Sequence, residues 1–288
     1  MKKKLAILGS TGSIGESSLQ VVYKKRSFFD LDTLVANSNY KKICLQINKF
    51  KPKNFVIIDL KTYMKVKKKY KNQVTKIHNN YSFIKKIKKK YDITIAGIPG
   101  IAGLEPTIFF AKKSAKLLLA NKESIICGWN IISQISKENK TKIIPLDSEH
   151  FSIHQLTKNH FDNEIEKIYI TASGGPFLKL NKKNFKKITP IDAVRHPKWK
   201  MGNKISVDSA TLMNKILELM EALKIFPFNI NKYELIIHPQ SLVHAIIKFK
   251  NGLTKFLYHE PNMIIPISNA LFDNKINFKD LQNKNRNK

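Results

Sequence analysis

The sequence predicts an α/β protein: a Rossmann-like doubly wound parallel sheet followed by an α+β catalytic domain. Three observations point there. Short β-rich runs alternate with helical patterns up to about residue 146, a glycine-rich turn follows the first run, and beyond Asp147 a helical pattern is set among closely spaced apolar runs.

The runs of the first part are residues 5–8, 31–35, 55–58, 93–96, 117–119 and 143–146. Most are apolar on both faces, as strands of a parallel sheet covered by helices must be. Segments such as 41–50 and 101–112 are long enough for crossover helices. In the second part, a Gly/Pro-punctuated stretch at 173–202 precedes a helix over about 210–223 and apolar runs at 234–237, 242–249 and 253–258. A helix packed on antiparallel strands is the simplest account. The expected division is a nucleotide-binding domain over 1–147, an α+β domain over 148–272 with a lid at about 173–203, and a loose polar tail over 273–288.

The chain has 288 residues, 42% of them hydrophobic, enough for a sizeable core. Its formal charge of +31 suggests an anionic partner, and a basic nucleic-acid-binding protein is the competing reading from another class. Among 52 basic residues, however, only Arg26, Arg195 and Arg286 are arginine, the side chain that best reads bases and phosphates. The lysines lie in stretches such as 63–72 and 83–92, where apolar residues recur at helical spacing, so they read as solvated helix faces. No specific nucleic-acid partner is therefore expected. Cys44 and Cys127 are too few for a disulfide framework and read as buried hydrophobes of a reducing compartment. No apolar run approaches the ~18 residues that span a bilayer, so a cytoplasmic location and no membrane partner are expected.

The first run leads into Gly9-Ser10-Thr11-Gly12-Ser13-Ile14-Gly15 and then into a helical pattern. Glycines permit a tight turn and close backbone approach, and a helix start offers N–H groups to a pyrophosphate. A plain strand-to-helix turn would look the same; the position after the first strand favours a dinucleotide. At the end of the second run, where an NAD enzyme places a carboxylate against the ribose, stand Ala36, Asn37, Ser38 and Asn39, with Lys41 and Lys42 following. This set suits a 2′-phosphate, hence NADPH.

Asp147, Ser148 and Glu149 follow the last run of the first part. If the chain is extended there, Asp147 and Glu149 point the same way, and two converging carboxylates call for a cation such as Mg²⁺ or Mn²⁺. The alternative is a helix N-cap with Glu149 in the first turn. Downstream, Asn214 and Glu218 stand at i and i+4, with Lys215 between them. They can share one helical face, as a third ligand with phosphate-binding neighbours or as ordinary exposed polar residues. Between these blocks, glycines around His196, Trp199 and Met201 read as a water-excluding lid, with a core tryptophan and a structural histidine as the alternative.

Together these segments closely resemble the 1-deoxy-D-xylulose 5-phosphate reductoisomerase family. The resemblance rests on GSTGSIG (9–15), LLANKES (118–124), DSEH (147–150), SGGPF (173–177), HPKWKMG (196–202), KISVDSATLMNK (204–215) and IHPQSLVH (237–244), in the family's order. It implies an NADPH- and divalent-metal-dependent rearrangement and reduction of a small sugar phosphate by a homodimer. By resemblance, Thr11, Gly12, Ser13 and Ile14 hold the NADPH phosphates, Ala36 to Asn39 lie near the 2′-phosphate, and Asn121, Glu123 and Gly202 complete the cofactor set. Asp147, Glu149 and Glu218 match the metal ligands. Ser148, Ser173, Ser209, Asn214 and Lys215 match substrate-binding groups, with His196 and Trp199 in the lid. Lys122, Glu149, His196 and Lys215 match the catalytic set. The family commonly has Gly and Lys where this chain has Asn37 and Ser38, and its members continue into a C-terminal helical domain. The active enzyme is the first reading; the alternative within the same ancestry is a truncated, weakly active or inactive relative whose apolar surface is exposed without that domain.

Overall fold

Apolar strands buried on both faces need helices on each side, and the first part of the chain folds accordingly. The computed structural model describes residues 1–87, 90–194 and 202–282. It divides into two units, Met1–Leu146 with a return from Ile267 onward, and Asp147–Pro266. In the first unit the order is β1 (Lys3–Leu8), α1 (Ser13–Lys24), β2 (Phe29–Ala36), α2 (Tyr40–Phe50), β3 (Asn54–Ile57), α3 (Leu60–Lys69) and β4 (Lys76–His78). Then follow β5 (Tyr91–Ala96), α4 (Leu104–Ala111), β6 (Ser114–Leu119), α5 (Lys122–Glu138) and β7 (Lys142–Pro145).

The strands form one seven-stranded sheet in the order β4-β3-β2-β1-β5-β6-β7, with every neighbouring pair parallel. Leu5 pairs with both Leu31 and Ile93, so β1 lies at the centre. The order reverses on either side of β1, and such a switch point opens a crevice at the carboxyl ends of the strands. The glycine loop leaves β1 there.

Some local expectations change. β4 is a short strand without an apolar run. The 83–92 stretch is not a long helix: a 3-10 turn over Ser82–Lys86 is followed by β5. Lys65, Lys67, Lys68 and Lys69 of α3 are exposed while Val66 is buried, the solvated face anticipated. Cys44 is buried, but Cys127 is exposed, because its side of α5 carries no covering element among the described residues.

In the second unit, α6 (Ser148–Thr157) is followed by β8 (Ile165–Ala172), α7 (Pro190–Val194), α8 (Asn203–Ala210) and α9 (Met213–Ile225). The unit then runs through β9 (Tyr233–Ile237), β10 (Val243–Phe249) and β11 (Thr254–Tyr258) into α10 (Ile264–Phe272). The sheet order is β11-β10-β8-β9. It is mixed rather than purely antiparallel, because β8 pairs antiparallel with β10 and parallel with β9. Ile168 and Ile170 of β8 stand opposite Ile247 and Ala245 of β10, and they pack with Ile153 of α6, Ala222 of α9 and Phe226 at the end of α9. This core seats α6 and α9 side by side.

The expected continuous helix over 210–223 is two helices. α8 ends at Ala210, and Leu212 adopts φ 60, so α9 starts afresh at Met213. Residues 273–282 are not simply a loose tail: Lys116 pairs with Asp273, Lys25 pairs with Asp280, and Leu281 is buried, while Phe272 just before them packs edge-on against Phe28 and Phe29. Among the described residues, no helix is long and apolar enough to cross a membrane.

The break at Leu212 yields a prediction. A left-handed backbone costs a non-glycine residue roughly 1–2 kcal/mol. Comparing Leu212→Gly with Leu212→Ala removes the side-chain difference from the leucine itself. Urea unfolding is expected to find the glycine variant more stable by about 1 kcal/mol; an alanine variant of equal or greater stability would contradict the strained geometry.

Candidate functional site

The glycine loop is shaped by close backbone contacts. Gly9 has φ +80, and a Cβ there would lie 2.7 Å from the Gly97 carbonyl oxygen. A Cβ on Gly15 would lie 2.3 Å from the Gly9 oxygen. Both positions therefore exclude any larger residue. Gly12 is the N-cap of α1, and no side chain caps the first turn. The Gly12 N–H donates to the Gly9 carbonyl at 3.0 Å, while Thr11, Ser13 and Ile14 present main-chain N–H groups at an exposed or half-buried helix start, a fit for a pyrophosphate. Beneath the loop, Ser10 and Gln46 exchange hydrogen bonds of 2.7 and 2.9 Å.

At the end of β2, Ala36 is buried, while Asn37, Ser38 and Asn39 are exposed. Asn39 caps α2 by accepting from the Lys42 N–H at 3.1 Å. Lys42 itself pairs with Glu16 at 2.6 Å.

At the end of β6, Asn121 is 2% exposed and caps α5 through the Ser124 N–H at 2.5 Å. Its amide also donates to the carbonyls of Ile98 and Gly100. It therefore shapes the loop after β5, whatever else it contacts. Lys122 is buried beside it and Glu123 is half-buried.

The second unit gathers the acidic residues. Asp147 caps α6, with its Oδ1 3.3 Å from the Glu149 N–H. The chain is not extended through Asp147 and Glu149; it turns into a helix, and the cap geometry brings them together. Glu218 arrives from α9, and one oxygen from each of Asp147, Glu149 and Glu218 can be chosen so that all lie within 4.8 Å. An all-carboxylate set of hard oxygens suits Mg²⁺ or Mn²⁺. The cap and cation readings of the sequence are therefore compatible.

Lys215 links the carboxylates, with its Nζ 3.0 Å from Glu149 and 2.5 Å from Glu218. Burial opposes its charge, but Glu149 and Glu218 outweigh that and hold it well above the ordinary lysine range. The Ser148 hydroxyl donates to Glu149, and Asn214 donates to Glu218. After Ser173, Gly174 and Gly175 adopt φ +84 and +72, and a Cβ on Gly175 would sit 2.6 Å from the Ser209 oxygen. The turn after Ser173 is thereby brought against the end of α8. Gly202 is exposed at the α8 start. His196 and Trp199, expected in the lid, lie outside the described residues.

Two residues given no chemical role by the sequence complete the cluster. His150 is fully buried, its Nε2 2.8 Å from the Glu218 carbonyl oxygen. Its Nδ1 lies 3.4 Å from Asp147 and 3.3 Å from Glu221. Burial disfavours the charged imidazole, but Glu221 and Asp147 more than reverse this, and the pKa is pushed up to about 9. The i, i+3 spacing of Glu218 and Glu221 was the available signal.

A family model for 1-deoxy-D-xylulose 5-phosphate reductoisomerase matches residues 5–128, and the model for that enzyme's C-terminal domain matches residues 143–226. The 1-deoxy-D-xylulose 5-phosphate reductoisomerase of Pelagibacter ubique (strain HTCC1062) is 46% identical, over 99% of this chain and 75% of its own length. The chain belongs to the 1-deoxy-D-xylulose 5-phosphate reductoisomerase family. A second relative of the same name, from Wolbachia pipientis subsp. Culex pipiens, is 40% identical over 93% of this chain and 69% of its own.

Solved members share the fold. A reductoisomerase crystallised with NADPH, fosmidomycin and magnesium superposes with a TM-score of 0.87 at 33% identity, over 93% of this chain and 69% of that one. The Zymomonas mobilis enzyme in complex with NADPH gives 0.85 at 33% identity, over 94% and 70%. The Rossmann-like first unit and the α+β second unit are thus those of the family.

His150 also makes stability depend on pH. Its folded pKa of about 9 lies above the ordinary 6.5, so its stabilising effect is complete below about pH 6.5 and is lost as pH rises through 9. Chemical unfolding of the metal-free protein should show a fall on the order of 3 kcal/mol across that window. The fall should be absent in His150→Gln; a variant retaining the same slope would remove His150 as its source.

Proposed function

We propose that this chain catalyses the NADPH- and divalent-metal-dependent rearrangement and reduction of 1-deoxy-D-xylulose 5-phosphate to 2-C-methyl-D-erythritol 4-phosphate, a step towards isoprenoid precursors. Within the family just established, the observation that carries this is the convergence of Asp147, Glu149 and Glu218 beside Lys215. These three carboxylates would hold the cation. A bound divalent metal supplies Lewis-acid stabilisation of the negative charge developing on the substrate's carbonyl and hydroxyl oxygens. NADPH supplies the hydride that reduces the rearranged aldehyde.

The remaining roles fall to the chain's own groups. Ser148, Asn214 and Lys215 orient the substrate's hydroxyls, and Ser173, Ser209, Asn214 and Lys215 receive its phosphate. Lys215 suits both tasks because its charge is held by buried partners rather than by solvent. Thr11 to Ile14 hold the cofactor phosphates, and Ala36, Asn37, Ser38 and Asn39 border the 2′-phosphate. Lys122, Asn121 and Glu123 border the nicotinamide half. His196, Trp199 and Gly202 belong to the lid that excludes water.

We further propose a cytoplasmic homodimer with no specific nucleic-acid partner. In support, Tyr169, Ile246 and Phe256 stand side by side across β8, β10 and β11, a row of large apolar side chains, with Phe256 exposed.

Steady-state NADPH oxidation with 1-deoxy-D-xylulose 5-phosphate tests the activity directly. Turnover is expected with Mn²⁺ or Mg²⁺ and none in the presence of a chelator; a folded sample inactive with both metals would refute the proposal. Glu218→Gln should lower metal-supported turnover by about 100-fold or more while leaving NADPH affinity unchanged. Turnover like that of the wild type would remove Glu218 from the cation site.

A further inference from the structure

Glu221 is a carboxylate with 1% exposure, one helical turn beyond Glu218, and nothing in the proposed chemistry uses it. A buried charge is strongly destabilising unless an opposite charge meets it. The imidazole of His150, itself fully buried, does so at 3.3 Å from Oε2. The same ring reaches two further groups. Nε2 faces the Glu218 main-chain carbonyl at 2.8 Å, where it can act only as a donor. Nδ1 faces the Asp147 Oδ1 at 3.4 Å, the oxygen that also caps α6.

The ring therefore ties the start of α6 to the middle of α9. One of its contacts bears on the side chain of Asp147 and the other on the main chain of Glu218, two of the three groups proposed to share a cation. Without the Glu221 carboxylate, Asp147 alone would face Nδ1, and rotation of the ring about its Cβ–Cγ bond would loosen its contacts with Asp147 and the Glu218 carbonyl together.

We infer that Glu221 is a positioning residue which, through the His150 imidazole, holds Asp147 and the Glu218 turn of α9 in the arrangement that binds the divalent cation. The inference rests on reading Asp147, Glu149 and Glu218 as the cation's ligands. Carboxylate–histidine contacts behind a metal site typically contribute 10–100-fold in metal affinity. Asp147, His150 and Glu221 could alternatively be ligands of a second cation, since their ligating atoms also lie within 4.8 Å of one another.

The test is Mn²⁺ titration of the full chain without substrate or nucleotide, with free Mn²⁺ followed by electron paramagnetic resonance. The wild type is expected to bind one ion, and Glu221→Gln to bind it about 10–100-fold more weakly with NADPH affinity retained. In a His150→Gln background, Glu221→Gln should have little further effect, a non-additivity that general loosening of the fold would not produce. Glu221→Asp, which keeps the charge but draws it back from the ring, should weaken Mn²⁺ several-fold and serves if the glutamine variant does not fold. Unchanged Mn²⁺ affinity in either folded variant, or additive losses in the double variant, would overturn the inference. Two ions in the wild type, one of them lost in Glu221→Gln, would make Glu221 a ligand and overturn it too. A wild type that binds no Mn²⁺ would instead overturn the cation-site reading itself, and this inference with it.

Discussion

Asp147, Glu149 and Glu218 can share one small volume because the Lys215 ammonium meets two of them and the His150 imidazole meets the first. Carboxylates a few ångströms apart in a partly buried place repel strongly, and the fold tolerates them only with cations at the same distance. The second unit is organised around this constraint. Its sheet and apolar core set α6 against α9, so that one helix supplies Asp147, Glu149 and His150 and the other supplies Asn214, Lys215, Glu218 and Glu221. The left-handed Leu212 begins α9 at Met213, immediately before that polar face. On the proposed reading, the same cluster that is balanced internally by Lys215 and His150 is poised to receive a divalent metal.

The first unit meets a different constraint, the close passage of backbone against backbone. Gly9 and Gly15 leave no room for a Cβ beside Gly97 and the loop itself, and the resulting turn carries the chain from the central strand to an uncapped helix start. Asn121 acts similarly at the end of β6, where one buried amide holds the loop after β5 and caps α5. Both features lie at carboxyl ends of parallel strands, where the topology opens a crevice and offers helix dipoles to an anion. The proposed NADPH role follows from that placement and from the end of β2, where Ala36 to Asn39 include no carboxylate.

Much of this was legible in the residues. Both-face apolar runs announced the parallel sheet, and glycine spacing after the first of them announced the loop, because these patterns report purely local demands. β4, a strand without a strong run, escaped, and so did the mixed pairing of β8, since pairing direction depends on partners remote in sequence. Leu281, buried within the first unit, was hidden in a polar segment. His150 and Glu221 escaped for the same reason: a histidine or glutamate acquires its chemistry from neighbours that the sequence does not rank.

By itself, therefore, the sequence determined the fold class, the family through its ordered motifs, and the residue types a metal and a dinucleotide would need. Only the tertiary structure decided that Asp147 caps a helix while facing Glu149 and Glu218, that Lys215 meets two of those carboxylates, and that His150 joins Glu221 to the same group. The physical reason is that capping and helical periodicity are short-range and written along the chain. Charge compensation in a buried cluster is long-range, and it exists only once α6 and α9 have packed together.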